Sequence, residues 1–241
     1  MDILELTDVS IWYEEEHMVI DHLNLNVNAG QVIGLLGRNG QGKSTLLDTI
    51  SAIHKCYKGT IKINGLQDVS SLEVKKMRYY IQDNPVLFEE ISPKKYFLLL
   101  HNLYGKTFDA KKLEYYNYIF QFGGYYDKRI STLSLGNRKK TNIIGALMLQ
   151  TPLLILDEPL NGLDIMSVDA LYNELKKYAE NGNAVIFSTH IIDVLPQVCT
   201  DVAILEEHYI KKYIKKNECA NLRQEFNEVI QVGGQQEKYE E

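Results

Sequence analysis

The sequence predicts an α/β fold: a mostly parallel sheet with helices on its faces, an antiparallel β subdomain at the N-terminus and an inserted helical subdomain. Three observations lead there. A short apolar run, Gln31 to Leu36, enters a glycine-rich loop that opens onto a helical pattern carrying Leu46, Leu47, Ile50 and Ile53. Further apolar runs at 153–156, 184–187 and 202–205 alternate with helical patterns, as parallel strands joined by crossover helices require. Between these regions, residues 93–130 carry apolar and aromatic side chains at helical spacing, with tyrosine pairs at 115–116 and 125–126.

In chain order, Ile3 to Ile11 and Met18 to Val27 mix apolar and polar residues at roughly period two. This predicts two antiparallel strands joined by the acidic turn Glu14-Glu15-Glu16. Gly59 to Ile63 followed by Asn64-Gly65 predicts a strand and a tight turn. Ser134 to Leu149 predicts a further helix, so the helical insertion extends over about residues 93–150. The strand Leu153 to Leu156 precedes a helix marked by Val168, Leu171, Leu175 and Tyr178, and strands follow at Ala184 to Phe187 and Val202 to Leu205. One domain over residues 1–232 fits a chain of 241 residues. The polar segment 233–241 opens on Gly233-Gly234, ends in charge and is expected to be a disordered tail.

Composition narrows the function classes. At 45% hydrophobic and 24% charged residues the chain can build an ordinary core, and its net charge of −6 argues against a nucleic-acid partner. Cys56, Cys199 and Cys219 lie far apart without metal-ligand spacing and read as small apolar fillers in a reducing compartment. No apolar run approaches the ~20 residues of a membrane-crossing helix. The start, Met1-Asp2-Ile3-Leu4-Glu5, lacks the basic residues that open a signal peptide. A cytoplasmic location is expected, with any membrane role arriving through a partner.

Gly37-Arg38-Asn39-Gly40-Gln41-Gly42-Lys43-Ser44 matches G-x-x-x-x-G-K-[ST], the phosphate-binding P-loop, and makes the expected fold that of a P-loop NTPase. Gly37, Gly40 and Gly42 let backbone N–H groups approach phosphate oxygens. Lys43 supplies a positive charge for the β and γ phosphates, and Ser44 offers a hydroxyl to Mg²⁺. The helix that begins there, with Thr45 in its first turn, aims its positive end at the nucleotide. A second signal is Leu153-Leu154-Ile155-Leu156-Asp157-Glu158, an apolar strand ending in two carboxylates. They emerge at the carboxyl edge of the sheet, where α/β proteins bind ligands. Asp157 suits Mg²⁺, a hard cation bound by oxygen. Glu158 suits a general base for an attacking water.

Beside these motifs stand Leu133-Ser134-Leu135-Gly136-Asn137, Pro159-Leu160-Asn161-Gly162-Leu163-Asp164, Ser188-Thr189-His190, Tyr80-Ile81-Gln82 and Tyr13. In this order the set resembles the nucleotide-binding subunits of ABC transporters over residues 2 to about 210. The resemblance implies an ATPase with ATP and Mg²⁺ as cofactors. Ser134 and Gly136 correspond to the signature, which binds the γ-phosphate held by a second nucleotide-binding domain, although Ser134 alone would read as a helix N-cap. Gln82 corresponds to the Q-loop glutamine near Mg²⁺, and His190 to the switch histidine at the γ-phosphate. Either Tyr13 or Trp12 can stack on adenine; the resemblance places Tyr13 there and leaves Trp12 to packing. Two departures stand out: Leu135 replaces the first signature glycine and Asn137 its glutamine. The Leu-Ser-x-Gly form also looks more like the ABC-2 exporter group than like importers.

The resemblance implies a dimer, of two copies or with a related subunit, that powers a separate transmembrane permease from the cytoplasmic face of the membrane. A soluble ABC-type ATPase of iron–sulfur cofactor assembly has similar length and motifs and is the alternative.

Overall fold

The computed structural model describes residues 1–13, 17–84, 86–215, 218 and 221–236, the last five of these by backbone alone. The chain opens with β1 (Asp2–Trp12), β2 (Met18–Asn28) and β3 (Val32–Leu36), then α1 (Lys43–Ile50) and β4 (Tyr57–Ile63). A short α2 (Leu72–Lys75) and β5 (Arg78–Ile81) lead into α3 (Pro93–Tyr104), α4 (Ala110–Ile119) and α5 (Leu135–Leu149). Then come β6 (Leu153–Leu156), α6 (Ile165–Glu180), β7 (Ala184–Thr189), α7 (Leu195–Val198), β8 (Asp201–Glu206), β9 (Tyr209–Lys215) and α8 (Leu222–Gln236).

Two sheets result. The first is antiparallel, in the order β2-β1-β4. The second has six strands in the order β5-β6-β7-β3-β8-β9, parallel except for the edge strand β9. Alternation along the parallel strands divides the core in two. Ile33, Leu35, Leu153, Ile155, Ile186 and Leu205 face α1 and the antiparallel sheet. Leu36, Leu154, Leu156, Val185, Phe187 and Ile204 face the helical insertion and the C-terminal helices. A strand buried on both faces reads as a continuous apolar run, which is why β3, β6, β7 and β8 were visible in the sequence.

The insertion is built as the spacing predicts. Phe97, Phe120, Phe122 and Ile130 are fully buried between α3, α4 and α5. Three expectations are corrected. The helix after the glycine-rich loop stops at Ile50, because Ser51 caps it and Ala52 takes a left-handed φ of 58°, so Ile53 is exposed rather than packed. Helix α8 continues through Gly233 and Gly234 to Gln236, past the boundary expected at Val232; residues 237–241 lie outside the described residues. Cys199 is buried as an apolar filler, but Cys56 is exposed. Cys219 and the acidic turn Glu14-Glu15-Glu16 also fall outside the described residues.

Strands β5 and β9 are not legible in the sequence. Arg78 and Tyr79 alternate in β5 but both are buried. The Arg78 guanidinium donates to the carbonyls of Ser51 and Val69, and the Tyr79 hydroxyl donates to Asn142 Oδ1 at 2.7 Å. β9 carries Lys211, Lys212 and Lys215, as edge strands that avoid further pairing do. Among the described residues no helix is long and apolar enough to cross a membrane.

Candidate functional site

At the carboxyl edge of the parallel sheet lies a cleft of about 510 Å³, within the range usual for small-molecule sites. The turn after β3 forms one wall. Asn39, Gly40, Gly42, Lys43, Ser44 and Thr45 all line the cleft. Gly42 precedes α1 with φ 91°, and a Cβ there would lie 2.7 Å from Val19 Cγ1, so both conformation and space require glycine. Arg38 and Gln41 point elsewhere. Arg38 pairs with the buried Glu206, and Gln41 Oε1 accepts from the Glu207 N–H at 2.8 Å, fastening the loop to the end of β8. Their side chains, like Gly37, are not part of the lining.

Lys43 is buried, and its Nζ donates to the carbonyls of Gly37 at 2.7 Å and Arg38 at 3.0 Å. Burial lowers its pKa, while the carboxylates of Glu158, Asp157 and Glu206 push back upward. The ammonium is thus held against the loop carbonyls at the lining of the cleft.

The opposite wall is the end of β6. Asp157 is buried, and Ser188 Oγ, from β7, donates to its Oδ1 at 2.5 Å. The same Ser188 Oγ accepts from the Glu158 N–H at 2.9 Å. One hydroxyl therefore holds both carboxylate residues. Glu158 takes a left-handed φ of 43°, a conformation that costs about 1–3 kcal/mol outside glycine and is retained where the surroundings enforce it. Its Oε1 lies 3.0 Å from His190 Nδ1 and 4.0 Å from Lys43 Nζ.

The other expected residues divide. Tyr13 stands exposed at the outer lip, its hydroxyl 3.1 Å from Thr45 Oγ1 and its ring edge-on to His54. Trp12 is half-buried, with Lys58 Nζ over its ring. Gln82 directly follows β5, whose Ile81 pairs with Leu156, so it neighbours Asp157 along the sheet edge. Asp83 rather than Gln82 lines the cleft, together with Asn161. Ser134 and Gly136 are not brought to this cleft. Ser134 caps α5, accepting from the Asn137 N–H at 3.3 Å, and a Cβ on Gly136 would lie 2.7 Å from the Gly162 carbonyl oxygen. Gly136 is thus glycine for an intramolecular reason: the loop after β6 presses on it.

A strand, a phosphate-type loop and helix, two carboxylates and a histidine share this edge. The family model described as ABC transporter matches residues 20–161. The chain belongs to this family. The putative ABC transporter ATP-binding protein AlbC of Bacillus subtilis is 39% identical over 236 residues, spanning 95% of this chain and 99% of AlbC. The ABC-type transporter ATP-binding protein EcsA of the same organism is 27% identical, over 94% of this chain and 91% of EcsA. Among solved structures, an ATP-binding subunit of an ABC transporter superposes with a TM-score of 0.83 at 27% identity, covering 93% of each chain. The ATP-binding cassette MJ0796, solved as a post-hydrolysis dimer with ADP and Pi, shares the fold at a TM-score of 0.76 and 22% identity, over 88% of this chain and 98% of MJ0796.

In this ABC ATPase subunit Ser188, read in the sequence only as a neighbour of His190, bonds to both carboxylate residues. Ser188 is fully buried, and Ser188→Ala removes a donor to Asp157 and the acceptor for the Glu158 N–H. An unpaired group of that kind costs about 1–3 kcal/mol of stability, and with the carboxylates no longer held in place ATP turnover should fall roughly tenfold in a chain that still folds. Steady-state ATP hydrolysis, read beside a melting curve, checks this; unchanged turnover means the carboxylates hold their places without it. Sequence reasoning missed Asp83, whose only signal was a carboxylate directly after the predicted Gln82.

Proposed function

We propose that this subunit hydrolyses MgATP in the cleft, pairs with a second nucleotide-binding domain, and drives a separate transmembrane permease. The observation that carries the reading is the convergence of Lys43, Ser44, Asp157, Glu158 and His190 on one cleft. The hydroxyl of Ser44 and the carboxylate of Asp157 form a hard-oxygen donor set suited to Mg²⁺, with Gln82 beside them on the sheet edge. Mg²⁺, when bound, neutralises charge on the transferring phosphoryl group. Lys43 and the backbone of 37–45 position the phosphates, Tyr13 at the lip stacks on the adenine, and Glu158 orients and deprotonates the attacking water. His190, hydrogen-bonded to Glu158, faces the γ-phosphate.

Ser134 and Gly136 stand apart from their own molecule's cleft, which supports a role at the cleft of a second copy or related subunit. Leu135, Ile165 and Met166 are exposed around them and supply apolar area for that contact. The names of AlbC and EcsA support transport over iron–sulfur assembly. The same names support association with a membrane, which in this reading is reached through the permease from the cytoplasmic face.

The docking surface we assign to the permease is the loop between β5 and α3. Leu87 turns inward, while Val86 and Phe88 are exposed, with the Phe88 ring 6.4 Å from that of Tyr96. Phe88→Asp should reduce recovery with the permease-containing membrane fraction roughly tenfold, as loss of an aromatic anchor does, with ATP binding retained. Equal recovery of mutant and wild type at matched stability removes this surface from the reading.

A further inference from the structure

Lys139 lies in α5, within the charged run Arg138-Lys139-Lys140. In the structure it is 2% exposed. Its Nζ donates to Asp83 Oδ1 at 2.9 Å, to the Asn161 carbonyl at 2.9 Å and to the Glu158 carbonyl at 3.2 Å. A lysine ammonium has three protons, and each finds an acceptor here. Asp83 Oδ1 accepts in addition from Asn161 Nδ2 at 3.2 Å. A buried cation that draws its acceptors from two separate loops fixes those loops relative to each other.

Both loops belong to the cleft. The carbonyls of Glu158 and Asn161 bracket the turn after β6, and they belong to the residue with left-handed φ and to a cleft-lining residue. Asp83 lines the cleft from the loop that continues to the exposed Phe88. From this arrangement we infer that Lys139 is a positioning residue for ATP hydrolysis: it holds the Glu158 turn in register with the Asp83 loop and so sets where the Glu158 carboxylate stands. The cation does not line the cleft. It acts through the backbone of Glu158, so the inference rests on the role proposed above for Glu158.

The Lys139→Met variant keeps the aliphatic stem and removes the three donors. Small displacements of a catalytic group are costly, so kcat for MgATP should fall roughly 10- to 100-fold, with KM and the ATP Kd within about twofold of wild type. Asp83→Ala, at a residue 39% exposed by its side chain, tests the same link without a buried change. Asp83→Ala should also lower kcat, and the double variant should be no slower than Lys139→Met alone, as expected for groups that act as a unit. Unchanged kcat per folded molecule in Lys139→Met overturns the inference. So does additive loss in the double variant, or a fall in ATP affinity matching the fall in kcat. If Lys139→Met fails to fold, an unaltered kcat in Asp83→Ala overturns it alone. Glu158→Gln measured in parallel separates the two readings: full turnover there sinks the role of Glu158, whereas its loss beside a normal Lys139→Met sinks only the role of Lys139.

Discussion

Glu158→Gln is expected to bind ATP normally and to turn it over roughly 10²-fold more slowly, or worse, the scale of losing a general base. The change is small in shape, because the amide occupies the space of the carboxylate and can still contact His190, 3.0 Å away. It is large in chemistry. An amide cannot take a proton from water, and the negative charge 4.0 Å from Lys43 is gone. Binding should be retained or strengthened, because the phosphates meet one fewer like charge. With hydrolysis blocked, an ATP-bound dimer should accumulate. Single-turnover hydrolysis and sedimentation with and without MgATP read both effects. Wild-type turnover in the variant removes Glu158 from the mechanism.

Lys43→Ala should fail earlier, at binding. The ammonium is 6% exposed, drawn toward two loop carbonyls and flanked by Glu158 and Asp157. Without it the cleft presents Asp83, Asp157 and Glu158 to an anionic ligand. Truncating one partner of a buried, hydrogen-bonded charge pair costs about 2–5 kcal/mol, so ATP affinity should fall roughly 10²-fold or more. Turnover should be lost with it. The fold should survive, because α1 is anchored by buried Leu46, Leu47 and Ile50 rather than by the ammonium. Calorimetric titration with MgATP checks this. A Kd near that of wild type means that the phosphates do not rest on the loop of residues 37–44.

The two variants differ in what they probe. Lys43 belongs to a run of eight residues whose geometry is local: a strand end, a turn through Gly42 and the first turn of a helix. Glu158 depends on its surroundings. Its backbone conformation is held by Ser188 from β7 and by Lys139 from α5, so its performance is a property of three elements at once.

That difference explains how much was legible. The parallel strands could be read because burial on both faces leaves a continuous apolar run, as in Leu153 to Leu156. Strand β5 could not, because its inward Arg78 and Tyr79 are satisfied by partners that only the folded chain supplies. The close approach of the Gly162 carbonyl to Gly136, 2.7 Å from where a Cβ would stand, is likewise made by the fold and carries no mark in the run of residues 133–137.

By itself, then, the sequence determined the parts whose physics is contiguous: the phosphate-type loop, the paired carboxylates at a strand end, the apolar strands and the helical insertion. Each is set by side chains a few residues apart, so its signal survives in one dimension. Tertiary structure alone decided which groups hold those parts in place. Ser188 reaches Asp157 across 31 residues of chain and Lys139 reaches Asp83 across 56. A serine after an apolar strand and a lysine in a charged run carry no local mark of such partners. Whether a buried polar group clamps a site is settled by what the fold brings within 3 Å of it.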